Sequence, residues 1–389
     1  MAAIDPAGLL AALAGAGRRV AIVATGGGAG GIASLVAVPG ASSVVVEGAV
    51  PYAREAIDAF LGGRQETYCS SRAARRLAMA AWQRARRVGG PVEAAVGAAV
   101  TASLVTTQPK RGDHRVIAAL QTSATTQVAT LVLEKGVRTR DEEEAVAAAL
   151  LHDMLAAAVG PTVHGTPSAA ATPLLRSGER VVFEETRATP AWQELVAGDR
   201  HVCGAGTLAV TATPAAAALV FPGSFDPLHD GHLLMARIAE EIGERPLAYE
   251  LSVTNVDKPP LDYVEIAARA AQFAERPLWL TRASTFLEKL DVFPGATFVM
   301  GADTYARLAD PRYYGGSDAA ALAAAETIAT RAGGLVVFGR ERDGVFEDAA
   351  RIEAPACLRD IAYFVSHREF RLDISSTALR RAAREREEV

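Results

Sequence analysis

Short apolar runs bounded by glycine- and proline-rich turns alternate along the chain with stretches whose apolar residues recur at helical spacing. Residues 4–15 read as a short helix, and Arg19 to Ala24 (RVAIVA) as a strand apolar enough for burial on both faces. A glycine-rich turn, Thr25 to Gly31, follows. A strand over 43–47, a helix over 51–62 and a longer helix over 69–87 come next. Strand-like runs at 92–100, 115–121 and 127–134 precede a helix at 141–158 with acids in its first turn, as the helix dipole favours. The stretch 161–216 is rich in Pro, Thr, Ala and Gly and reads as a linker holding a small β element, with strand-like pieces at 180–184 and 207–212. The apolar run AALVF at 217–221 opens a second alternation, which closes in a terminal helix over 377–387. The pattern predicts two layered α/β domains, 1–160 and 217–389, the second a Rossmann-like parallel sheet.

A length of 389 residues agrees with two domains, since single cores stop growing before that size. Half the residues are apolar and 22% charged, which suffices for real cores. The net charge of −5 argues against a broad nucleic-acid surface but leaves room for a basic pocket that takes a small anion. Lysine is scarce: Lys110, Lys135, Lys258 and Lys289 stand against thirty-six arginines, so each lysine stands out. Cys69, Cys203 and Cys357 lie far apart without a C-x-x-C pair, which disfavours a disulfide framework or a structural zinc and suits a reducing compartment. The N-terminal apolar run precedes its arginines, the reverse of a secretory signal, and no run approaches a membrane span. A cytoplasmic protein with no membrane partner is expected.

The densest chemistry lies at Pro222-Gly-Ser-Phe-Asp-Pro-Leu-His-Asp-Gly-His232, between a buried strand and a helical pattern. Ligands of open parallel sheets bind beyond the carboxyl ends of strands, where this turn falls. Gly223 admits close backbone approach to an anion, and the helix start presents N–H groups and a positive dipole end. His229 and His232 add two hydrogen-bond donors. The bland alternative is a capped helix start with packed histidines. No third ligand near the two histidines supports a metal site.

This string resembles the signature of the nucleotidylyltransferase superfamily, which transfers AMP or CMP onto a phosphate-bearing acceptor. The resemblance implies a nucleotidylyltransferase fold in which His229 and His232 are catalytic, with His232 stabilising charge at the α-phosphate. It also implies that Gly223, Ser224 and Phe225 form the nucleotide-binding turn. Near the other end, Asp373-Ile-Ser-Ser-Thr-Ala-Leu-Arg380 precedes the terminal helix. Ser375 or Ser376 suits an N-cap, yet Arg380 and Arg381 place cations where the dipole favours acids, which a bound polyphosphate would reverse. The string resembles one in nicotinate- and nicotinamide-mononucleotide adenylyltransferases, implying that Ser375, Ser376, Thr377 and Arg380 bind the β- and γ-phosphates. Phe298-Val-Met-Gly-Ala-Asp303 resembles the family segment that meets the nucleoside, implying that Asp303 accepts from a ribose hydroxyl; by their placement, Arg340 just past a strand end is a candidate for a phosphate, and the scarce Lys258 and Lys289 for the acceptor. ATP with Mg²⁺ and a small phosphorylated acceptor, a pyridine mononucleotide foremost, are the expected partners. Transfer of AMP or CMP to another phosphorylated acceptor, or a non-catalytic nucleotide-binding role, stay open as alternatives. The loop 311–316 and the alanine-rich stretch 318–332 fall outside the resemblance.

In the N-terminal half, Gly26 to Gly31 satisfies G-x-G-x-x-G, with Glu47 about twenty residues on as in a dinucleotide fingerprint. The following helix is cut short by Pro39-Gly40, however. The order Gly30-Gly-Ile-Ala33, Val38-Pro-Gly-Ala-Ser42, Tyr52, Thr101-Ala-Ser103 and Lys110-Arg-Gly-Asp113, closed by the acidic-start helix, resembles the CinA C-terminal domain over about residues 5–160. That family includes nicotinamide-mononucleotide amidases. The resemblance places Gly27 at the nucleophilic serine's position and Ile57 at the lysine's, so amidase activity is not expected. A mononucleotide pocket or a role in homo-oligomerisation is expected instead.

Overall fold

The computed structural model describes residues 5–88, 90–108, 110–160, 170–256, 258–342 and 345–366. The chain divides into two compact units: Met1–Gln193 with Asp257–Glu265, and Glu194–Val256 with Ile266–Val389.

Unit 1 is built on β1 (Arg19–Thr25), β2 (Val45–Ala49), β3 (Ala95–Ser103), β4 (His114–Gln121), β5 (Thr125–Leu133) and β6 (Val181–Arg187), in the order β2-β1-β3-β4-β5-β6. β1 runs parallel to β2 and β3, and the later pairs are antiparallel. Alanines let the helix Ser71–Arg87 lie close on β3. A Cβ at Gly97 would stand 2.0 Å from the Ala78 carbonyl, so the strand needs glycine there. The acidic-start helix spans Arg140–Ala157 and carries a capping box: Glu142 N donates to Thr139 Oγ1, and Thr139 N to Glu142 Oε2. Unit 1 also takes in Asp257–Glu265, where Arg75 pairs with Asp262 at 3.1 Å and with Glu265 at 3.2 Å. Tyr263, fully buried, donates from its hydroxyl to the Ser123 carbonyl at 2.6 Å.

Unit 2 carries β7 (Val202–Gly206), β8 (Leu219–Pro222), β9 (Leu247–Ser252), β10 (Pro277–Thr281), β11 (Thr297–Gly301), β12 (Gly334–Phe338) and β15 (Ala362–Val365), ordered β15-β12-β11-β8-β9-β10-β7. All neighbours are parallel except β7, which runs antiparallel to β10 at the edge. A two-stranded hairpin of β13 (Arg340–Arg342) and β14 (Val345–Glu347) follows β12. The stretch 161–216 therefore supplies one edge strand to each sheet, β6 and β7, and its piece at 207–212 forms no strand. Short strands of this kind close sheet edges, a tertiary role that local composition does not display. No helix among the described residues is long and apolar enough to cross a membrane.

Starting from the central strand β8, the chain adds β9 and β10 on one side, then β11, β12 and β15 on the other. The reversal falls between β8 and β11, and the crevice beyond their carboxyl ends is where such folds bind ligands.

Candidate active site

β8 ends at Pro222, and the next seven residues turn into the helix Asp230–Gly243. The turn is held from outside itself. Gly223 N donates to the Glu250 carbonyl on β9 at 2.9 Å. Arg269 Nη1 donates to the Ser224 carbonyl at 3.0 Å, and its guanidinium lies 3.5 Å from Asp226. Gln272 spans the turn: Nε2 donates to the Phe225 carbonyl at 3.1 Å, and Oε1 accepts from Leu228 N at 2.7 Å. Loop amides and carbonyls need such partners where no ladder supplies them.

Phe225 is fully buried and sits at φ +43°, a region that costs a non-glycine residue of order 1–3 kcal/mol. Its ring packs on Phe221, Tyr249, Phe273 and His232. A Cβ at Gly223 would meet that ring at 2.5 Å. Glycine at 223 thus makes room for Phe225. The Asp226–Pro227 peptide is cis. The Ser224 side chain is exposed at the start of the turn.

His229 is the N-cap residue and His232 lies one turn on, their rings stacked with centroids 3.7 Å apart. His232 Nδ1 accepts from His229 N at 3.3 Å. Since Nδ1 accepts, the neutral ring carries its proton on Nε2 and offers an Nε2–H donor. His229 Nδ1 is buried and has no hydrogen-bond partner among the described residues. Burial, and then the neighbouring His229, pull the His232 imidazole down to about 4. Burial also lowers His229, against the opposing pull of Asp230. Both rings are therefore neutral donors near pH 7, and a bound phosphate would favour their protonation.

Asp303 stands exposed in the first turn after β11, across the strand reversal from the histidine turn. Arg340 begins β13 just past β12, and only the backbone of that strand is described. The carboxyl ends of β8, β11 and β12 thus carry the first motif, Asp303 and Arg340 in turn. Lys289 departs from expectation. It is 6% exposed, and its Nζ donates to both Glu250 oxygens, at 2.9 and 2.8 Å, and to the Ala283 carbonyl at 2.7 Å. All three donors are spent, so it buttresses β9, whose Glu250 carbonyl holds Gly223, rather than reaching for an acceptor. Lys258 belongs to the segment grouped with unit 1, near Gly63. Ser375, Ser376, Thr377 and Arg380, with the terminal helix, lie outside the described residues.

Arg269, Gln272 and Glu250 are site residues that the motif does not mark. One signal was available for Arg269: it falls between Ile266 and Phe273 on the apolar stripe of its helix, where an arginine is out of place.

In unit 1 the glycine turn borders a cleft of about 210 Å³ lined by Thr25, Gly26, Gly27, Tyr52, Arg140 and Glu144 among others. A Cβ at Gly27 would meet Leu104 Cδ1 at 2.6 Å and Glu144 Oε2 at 3.0 Å. The Glu144 carboxylate accepts from Gly28 N and Gly30 N, at 2.8 and 3.2 Å, so those amides are already taken. Glu47 pairs with Arg84, and Ile57 is a core residue. None of these contacts continues a dinucleotide fingerprint.

Residues 220–382 match the cytidylyltransferase-like family model, so the C-terminal part of the chain carries a domain of that type. This supports a nucleotidyltransferase-type function. Among solved structures, a competence-damaged protein (CinA) superfamily protein from Escherichia coli is similar at 17% identity and a TM-score of 0.32, covering 39% of this chain and 88% of its own. A CinA superfamily protein from Klebsiella pneumoniae is similar at 15% identity and a TM-score of 0.30, covering 40% of this chain and 98% of its own. No curated protein gives a match.

Proposed function

We propose that unit 2 transfers AMP from ATP to a phosphate monoester, a pyridine mononucleotide foremost, releasing pyrophosphate. The observation that carries this reading is the stacked pair His229 and His232, two neutral donors at a helix start beyond the carboxyl end of β8. An acceptor phosphate is already anionic near pH 7, so no protein base is needed to activate it. One of its oxygens attacks the α-phosphorus; that O–P bond forms as the bond to the β-phosphate oxygen breaks, and pyrophosphate takes the electron pair. Catalysis then consists of alignment and charge neutralisation. His232 Nε2–H serves the α-phosphate oxygen, with His229 beside it. By the resemblance, Asp303 receives the ribose, and Ser375, Ser376, Thr377 and Arg380 the β- and γ-phosphates; Arg340, by its place just past β12, takes a phosphate. Mg²⁺ enters with ATP as part of the substrate.

A cytidylyl donor is the second reading, favoured by the family match over residues 220–382. His232→Ala tests the shared chemistry: pyrophosphate release should fall by about 10²–10³-fold, the scale of losing one charge-stabilising donor. Turnover near that of the unsubstituted protein would remove the histidine pair from the chemistry.

A further inference from the structure

We propose that Gln272 and Arg269 are positioning residues for nucleotidyl transfer, setting the place of the 224–228 turn and through it the two histidines. The inference rests on the function proposed above. Neither residue belongs to the motif, yet between them they hold three of its backbone groups: the carbonyls of Ser224 and Phe225 and the amide of Leu228. Gln272 alone closes the turn, one amide group donating near its start and accepting at its end. Its donor meets Phe225, the residue in the left-handed conformation, and its acceptor meets Leu228, which is bonded to His229. Arg269 adds a cation beside Asp226 within the same turn. A strained residue keeps its conformation only while its surroundings enforce it. Here the enforcement comes from the buried Phe225 ring, packed on Phe273, and from Gln272 and Arg269. Arg269, Gln272 and Phe273 come from the end of one helix (Tyr263–Ala271) and the two residues that follow it. Releasing the clamp lets the turn relax and carries His229 and His232 out of register with the α-phosphate.

The test uses the full chain with Gln272→Met, which keeps the side-chain volume and deletes both hydrogen bonds, and Arg269→Met. Three quantities are read: pyrophosphate release, the thermal midpoint, and the NMR titration of the histidine ring protons without substrate. Gln272→Met should lower kcat by roughly 10–100-fold, as a small misplacement does, while the KM for Mg-ATP moves less than about threefold. The titration of His232 should move up from about 4 as its ring loses its buried seat. An unchanged kcat together with unchanged histidine titrations overturns the proposal. A lower thermal midpoint with unchanged titrations also overturns it, because that is the mark of a merely structural role. Gln272→Glu, which keeps the acceptor for Leu228 N, should fall between Gln272→Met and the unsubstituted protein. Should no acceptor support transfer, the proposed function fails, and the titrations still decide whether the clamp places the histidines.

Discussion

The tautomer of His232 decides what the site offers a phosphate. A backbone amide occupies Nδ1, so the proton sits on Nε2 and faces outward as a donor without any net charge on the ring. Burial sustains that neutral state and links it to stability. The unfolded chain protonates this histidine near 6.5, whereas the folded one holds it at about 4. As pH falls through that window the unfolded state takes up a proton that the folded state refuses, so stability is full above about 6.5 and declines toward 4. His232→Gln should flatten the decline of the thermal midpoint over the same range. Parallel curves for the two proteins would mean that His232 is not buried as a neutral ring. The two histidines were legible because they stand in one short string of a histidine-poor sequence. The contact that bars a Cβ at 223 was not, since it comes from the ring of Phe225, placed by tertiary packing.

At the scale of elements, apolar spacing located most helices and strands of both units to within a few residues, because burial follows period. Of the two edge strands drawn from 161–216, β6 matches the strand-like piece read at 180–184, whereas β7 (Val202–Gly206), with two glycines in five residues, escaped the pattern. Lys289 shows how a rare residue can mislead. Its scarcity drew attention, but its place in the helix Phe286–Val292 turns it inward to Glu250. Removing one partner of a buried pair leaves the other charge uncompensated, so Lys289→Met should cost about 3–5 kcal/mol in urea unfolding. Adding Glu250→Met should restore most of that loss. A single substitution costing under about 1 kcal/mol would show the pair to be dispensable. Arg269 and Gln272 lie near the far end of a helix whose first residues belong to unit 1 and whose last belong to unit 2. Their partners lie more than forty residues earlier in the sequence, at a separation that periodicity does not report.

For the whole molecule, a length beyond one core predicted two units, and among the described residues each unit is built on one large sheet. The strand order of unit 2 brings β8 and β11 together at the reversal, so the histidine turn and Asp303 follow the ends of neighbouring strands. Unit 1 keeps a cleft beside its glycine turn, where Glu144 accepts from Gly28 N and Gly30 N. Nucleotidyl transfer by unit 2 is read from pyrophosphate release. The full chain with Mg²⁺ should be assayed with ATP and with CTP against a panel of phosphate monoesters that includes both pyridine mononucleotides. The account predicts release with ATP and a pyridine mononucleotide, with the matching dinucleotide formed in equal amount. Tight nucleotide binding without pyrophosphate release from any pair would contradict it and mark unit 2 as a nucleotide-binding module.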